Sequence, residues 1–124
     1  NQRWAESGAV LREQAQAALD ANNFAGAEAI LTRAVTADPA DPDNHYALGV
    51  VQAQLGKLPE AAASLETVLK QAPDQVDSVL MLGLVYAEQG RTSEARGMLE
   101  RILAQEATGQ RADYARQTLQ GLPK

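Results

Sequence analysis

The feature that most constrains this chain is an internal repeat with a period of 34 residues. The pair Leu48-Gly49 returns as Leu82-Gly83 one period later. Further equivalences are Gly56 with Gly90, Ala27 with Ala61 and Ala95, Leu31 with Leu65 and Leu99, and Pro39 with Pro73. A chain made of copies of one unit stacks them in a line, so that each unit packs mainly on its neighbours. We therefore expect an extended binding surface rather than a catalytic cleft.

The length predicts a single domain, and the net charge predicts which kind of partner it binds. The chain has 124 residues, which is the size of one domain, and it contains no cysteine, which excludes disulfides. Its 16 acidic and 11 basic residues give a net charge of −5. A negative chain repels phosphate backbones, so we expect basic partners and no nucleic acid.

The apolar segments are too short to insert into a membrane. No apolar run approaches the roughly 18 residues that a membrane span needs, and no signal-like start is present. The chain begins at Asn1 rather than Met, so we expect a processed or trimmed protein from which a targeting segment is missing. We predict a soluble protein whose compartment, cytoplasmic or exported, stays open.

Apolar residues recur at helical spacing throughout, and the breaks between them predict seven helices. The predicted helices are 4–20, 24–36, 42–55, 58–71, one after Asp74 that ends at residue 89, 93–104 and 111–120. Asn23 and Asp41 are predicted caps, and Asp74 with Asp77 has the spacing of a carboxylate capping box. Linkers this short force neighbouring helices to be antiparallel.

The period and its marker residues resemble the tetratricopeptide repeat, whose pattern is Trp, Leu-Gly, Tyr, Ala, Phe and Pro. The third unit keeps Leu82, Gly83, Tyr86 and Ala95, with Leu99 for the Phe and Ala107 for the Pro. The second unit keeps Leu48, Gly49, Ala61 and Pro73, with His45, Gln52 and Leu65 at the Trp, Tyr and Phe positions. The first unit has Gln14-Ala15 for Leu-Gly but keeps Ala27, Leu31, Ala34 and Pro39.

This resemblance implies an all-α fold, a right-handed solenoid of antiparallel helix hairpins. We predict a single domain, 1–124, with units at roughly 8–41, 42–75 and 76–109 and a capping helix at 111–120. Trp4 is expected to help close the other end.

The first helices of units two and three are apolar on nearly every side, which predicts burial on more than one face. Beyond the core stripe of Leu48 and Leu82, a second apolar strip recurs with the repeat. The strip consists of Tyr46, Val50 and Ala53 and, one period later, Leu80, Leu84 and Ala87. In the resembled family this strip lines a concave face that binds extended peptides or helices, and an exposed strip of this kind marks an interaction site.

The candidate groove combines this strip with its polar flanks. Its predicted residues are Arg12, Gln16, Asp43, Tyr46, Val50, Ala53, Gln54, Asp77, Leu80, Met81, Leu84, Ala87 and Glu88. Relatives that hold a peptide carboxylate carry Lys, Arg and Asn on this face, and the strip positions of units two and three lack them. We therefore expect an apolar or amphipathic protein partner with some basic residues. Asp43 and Asp77 either contact that partner or only stabilise their helix N-termini.

Three interpretations of the strip stay open. It binds a peptide or helix of a partner, it joins copies of this chain into a homo-oligomeric scaffold, or it is covered by the chain's own ends.

Residues suited to catalysis are scarce, so we predict a protein that is not an enzyme and has no cofactor or metal. His45 is the single histidine and holds a packing position. The series Asp41, Asp43, His45 lacks the glycine and glutamate of a calcium loop. The serines have no base nearby in the sequence.

Overall fold

The computed structural model describes residues 7–123, which form seven α-helices and contain no strand. The helices are α1 (Gly8–Asp20), α2 (Phe24–Ala37), α3 (Pro42–Gln54), α4 (Leu58–Gln71), α5 (Val76–Glu88), α6 (Thr92–Gln105) and α7 (Gln110–Gly121). The all-α prediction is confirmed. From α2 onward each predicted boundary lies within one residue of the observed one.

The helix ends follow local capping chemistry. Ser7 has an extended backbone and its Oγ accepts a hydrogen bond from the Val10 N–H at 3.3 Å, so α1 begins at Gly8 and not at residue 4. Asn23 caps α2 as predicted, through a 3.0 Å bond from the Gly26 N–H. Trp4, the expected end cap, lies outside the described residues.

The capping box predicted for Asp74 and Asp77 is wrong. The N-cap residue of α5 is Gln75, and its side chain bonds no backbone N–H of the helix. That side chain instead accepts a hydrogen bond from the Ser78 hydroxyl. The Asp77 carboxylate points away from its own helix end and pairs with Arg111.

The helices pair into hairpins that stack in chain order. α1 packs on α2, α3 on α4 and α5 on α6, and each hairpin meets the next through α2–α3, α4–α5 and α6–α7. Contacts also join α1 to α3, α3 to α5 and α5 to α7, whereas the second helices of successive hairpins make at most marginal contact. The hairpins therefore lie closer together on the side of α1, α3, α5 and α7, and we call that side the concave surface.

The core lies within and between the hairpins. Leu31, Leu65 and Leu99 are completely buried, one in each hairpin. Gly49 faces Leu65, and a Cβ built on Gly49 would lie 2.9 Å from the Leu65 Cγ. The same contact recurs between Gly83 and Leu99, at 3.2 Å. These glycines let the two helices of a hairpin approach closely.

A polar contact ties the second hairpin to the third. The Tyr86 hydroxyl donates to Glu66 Oε2 at 2.5 Å, and the Arg91 guanidinium lies 4.1 Å from the centre of the Tyr86 ring. Burial, followed by the hydrogen bond to Glu66, raises the pKa of Tyr86 to about 12. The phenol therefore stays protonated and keeps donating to Glu66 at neutral pH.

We predict opposite effects for the same substitution at two glycines. Gly49→Ala destabilises the protein, because overpacking against Leu65 costs about 1–3 kcal/mol. Gly97→Ala stabilises it by about 0.5–1 kcal/mol, because a Cβ on Gly97 in α6 meets nothing within 4 Å and alanine favours the helix. Urea denaturation of both variants measures the difference. An equal gain at both positions would contradict the close approach at Gly49.

Candidate functional site

Two adjoining pockets open on the concave surface. The N-terminal pocket lies between α1 and α3 and has a volume of about 510 Å³. Its lining residues are Ala9, Arg12, Glu13, Gln16, Leu19, Asp43, Tyr46, Ala47 and Val50. The central pocket, of about 200 Å³, lies between α3, α5 and α7. Its lining residues are Val50, Ala53, Gln54, Met81, Leu84, Val85, Glu88 and Tyr114. Val50 belongs to both, so the pockets form one continuous groove.

The structure brings most of the predicted groove residues into these pockets. Those in the N-terminal pocket are Arg12, Gln16, Asp43, Tyr46 and Val50, and those in the central pocket are Val50, Ala53, Gln54, Met81, Leu84 and Glu88. Asp77, Leu80 and Ala87 line neither pocket.

Packing divides the apolar strip into two groups. Tyr46, Ala53 and Ala87 pack against a core cluster around Leu65 and Leu82, and Leu80 packs against another around Leu99. Val50 and Leu84 are half-buried, and within residues 7–123 they belong to none of the core clusters. Their apolar surface is directed to the groove and contributes little to the core.

Tyr114 is a groove residue that the sequence analysis missed. It lies on α7, lines the central pocket and is 55% exposed. Tyr114 follows Leu80 by one 34-residue period, and Leu80 follows Tyr46 by another. Extending the repeat register into α7, rather than treating that helix only as a cap, would have found it. The same register leads from Met81 back to Ala47 and Glu13, which also line the groove.

The arginine cations near the groove are held by neighbouring groups of the chain. Arg12 Nη1 lies 3.2 Å from Asp41 Oδ2 and 2.5 Å from Asn44 Oδ1. Arg111 pairs with Glu106 at 2.6 Å and with Asp77 at 2.8 Å. The hydrogen bonds that Arg111 donates to Glu106 lower the pKa of that carboxyl. The bonds that Arg111 donates to Glu106, and then the one to Asp77, raise the pKa of Arg111 itself. Asp77 thus links α5 to α7.

The acids that line the groove have no such partners. Glu13, Asp43 and Glu88 are exposed and form no ion pair with any residue between 7 and 123. Asp43 lies in the first turn of α3, where its charge also favours the helix dipole. Burial, and then the charge of Asp77, raises the pKa of Tyr46. The groove is apolar along its middle and negative along its edges.

Neither a metal site nor a membrane-spanning helix is found among the described residues. Within residues 7–123, no group of three or more His, Cys, Asp or Glu side chains is arranged to hold a metal ion. No described helix combines the length and apolarity needed to cross a membrane. His45 Nε2 donates a hydrogen bond to the Pro39 carbonyl oxygen at 2.8 Å.

Comparison with known proteins points to one family. A family profile described as tetratricopeptide repeat matches residues 12–76 and, in a second placement, residues 46–112. A search of curated proteins found no significant match.

Solved structures share the fold at low sequence identity. The Arabidopsis OM64 TPR domain has a TM-score of 0.85 and 18% identity, over 97% of this chain and 98% of that one. The first TPR of Spaghetti (RPAP3), bound to the HSP90 peptide SRMEEVD, has a TM-score of 0.84 and 19% identity, over 93% and 92%. YrrB, described as a TPR protein with an unusual peptide-binding site, has a TM-score of 0.82 and 23% identity, over 90% and 58%.

We predict that Arg111 holds α7, and with it Tyr114, against the groove. Arg111→Gln removes the pairs with Asp77 and Glu106, so amide hydrogen exchange in α7 becomes faster while exchange in α3 is unchanged. The control is Asp113→Asn, because the ion pair that Asp113 forms among the described residues is with Arg116 of its own helix. Equal exchange in α7 of the two variants would show that Arg111 does not position this helix.

Proposed function

The chain belongs to the tetratricopeptide repeat family, and on that premise we propose that it binds a peptide or helical segment of a partner protein in its concave groove. The observation that carries the proposal is the position of Val50 and Leu84. Both side chains line the groove, and among residues 7–123 neither packs into a core cluster. Both side chains are half-buried, and the part of their apolar surface that stays exposed adjoins the exposed ring of Tyr114 in the central pocket, an arrangement typical of an interaction site.

Tyr46 and Tyr114 extend this apolar surface toward the two ends of the groove. Tyrosines are common anchors at interfaces, because they bury a large area and lose little conformational freedom. Among the structures of similar fold, the Spaghetti domain is bound to a peptide and YrrB is described as having a peptide-binding site. Both support a peptide as the ligand here.

The expected affinity is modest. Burial of a fully exposed large side chain contributes about 1.5–3 kcal/mol, and Tyr46, Val50 and Leu84 contribute less because each is already half-buried. Association costs about 4–15 kcal/mol in lost translational and rotational freedom, which is of the same order. A partner that also makes polar contacts at the groove edges would bind more tightly.

A second copy of this chain is the competing occupant of the groove. Sedimentation across a range of protein concentrations separates the two. We expect a monomer at every concentration, and a dimer that dissociates when Leu84 is replaced would favour the self-associating scaffold instead.

We predict that Leu84→Gln weakens peptide binding about thirtyfold or more without unfolding the protein. Peptides are selected from a random displayed library on the wild-type protein, and their dissociation constants are measured by fluorescence anisotropy. Losing an anchor in the middle of the groove costs about 2 kcal/mol or more, about thirtyfold in affinity. Glutamine keeps the charge and the helix propensity of α5 unchanged.

The matched control is Ala63→Gln, on the exposed face of α4 and outside both pockets. It should bind the selected peptides like the wild type. A large drop in the melting temperature of Leu84→Gln would show that Leu84 is a core residue, and unchanged affinity would place the binding site elsewhere. Either result, or a selection that yields no peptide, overturns the proposal.

A further inference from the structure

The charges at the groove edge divide into engaged cations and unengaged anions. Arg12 lines the N-terminal pocket, but Asp41 and Asn44 already hold its guanidinium. Arg111 is held by Glu106 and Asp77. A peptide carboxylate that approached either arginine would compete with a carboxylate of the chain itself, which is tethered nearby and present at high effective concentration.

Each pocket also carries its own exposed carboxylate. Glu13 and Asp43 lie at the N-terminal pocket and Glu88 lies at the central pocket. None of the three forms an ion pair in the described part of the chain, residues 7–123. Among residues 7–123, the only cation that lines either pocket is Arg12, whose Nη1 is held by Asp41 and Asn44. An anionic ligand would thus meet uncompensated negative charge in both pockets, whereas a cationic one would meet free acceptors.

We propose that the partner is a cationic amphipathic segment whose apolar side chains enter the two pockets and whose Lys or Arg side chains pair with Glu13, Asp43 and Glu88. This inference rests on the proposed function of the groove. Lys and Arg suit such a surface, because their aliphatic stems cover apolar area while the charged head reaches a carboxylate at the edge. The chain's net charge of −5 adds long-range attraction for the same ligand.

The carboxylates at the groove edges also disfavour neutral and acidic peptides. A neutral apolar peptide would leave the edge carboxylates solvated and would gain only the apolar contacts. An acidic peptide would place like charges side by side and bind more weakly still. The expected order of affinity for peptides with the same apolar residues is therefore cationic, then neutral, then acidic.

The test uses synthetic amphipathic peptides of equal length with identical leucines, whose polar positions are all Lys, all Gln or all Glu. A fourth peptide keeps the lysines and replaces the leucines with serine. Fluorescence anisotropy should give the tightest binding for the Lys peptide, weakening with added salt, and little binding for the peptide without leucines.

The decisive variant removes the three edge carboxylates together, as Glu13→Gln, Asp43→Asn and Glu88→Gln. Exposed ion pairs of this kind contribute about 1.4- to fivefold each, so the triple variant should bind the Lys peptide about three- to hundredfold more weakly. Its affinity for the Gln peptide should not change. The matched control is Glu60→Gln, Asp74→Asn and Glu100→Gln, which makes the same change in charge at exposed positions outside both pockets.

The outcomes separate this inference from the function on which it rests. Equal binding of the Lys and Gln peptides, with both lost in Leu84→Gln, would overturn the cationic partner and leave the groove function standing. If the control triple variant loses as much affinity for the Lys peptide, or if the peptide without leucines binds fully, the charge dependence reflects net charge alone. Either result would also overturn the inference of a cationic partner for the groove. If no amphipathic peptide depends on Leu84, both the inference and the proposed function fail.

Discussion

The rest of the structure depends on the contact between a glycine of one helix and a leucine of its partner. Gly49 lies against Leu65, and Gly83 lies against Leu99 one period later. A Cβ at Gly49 would force Leu65 or the helix to shift, and one at Gly83 would require a smaller shift of Leu99. Both leucines are completely buried and have little room to move. Repetition of this contact at a constant interval gives successive hairpins the same internal geometry, and a linear stack follows from it.

The stack in turn determines which apolar residues are left without a core partner. Because α1, α3 and α5 lie side by side, one face of each is turned to a common concave surface. Tyr46 and Leu80 on that face reach back into the core, whereas Val50 and Leu84 contribute little to it. The proposed function follows from Val50 and Leu84, because the part of their apolar surface that folding leaves exposed is available to a partner.

The charged residues are likewise divided into those that stabilise the fold and those that, within the described chain, are left free at the groove. Arg12 joins α1 to the start of α3, and Arg111 joins α7 to α5. Both cations therefore hold neighbouring helices of the concave surface together. Glu13 and Glu88 have no such task within the described chain. The fold thus pairs Arg12 and Arg111 with its own carboxylates and leaves Glu13 and Glu88 unpaired among residues 7–123 at the pockets, which is the basis of the cationic partner proposed above.

The sequence by itself determined the helices, the repeat and the core, because these depend on local spacing and on residues that recur every 34 positions. It also predicted most of the residues that line the two pockets, since they recur at the same positions of α1, α3 and α5. Tertiary packing decided that Asp77 pairs with Arg111 rather than capping α5. It also separated Val50 and Leu84 from their neighbours on the strip. The physical reason is that these features depend on how each hairpin is rotated against the next, and no local pattern in the sequence encodes that angle.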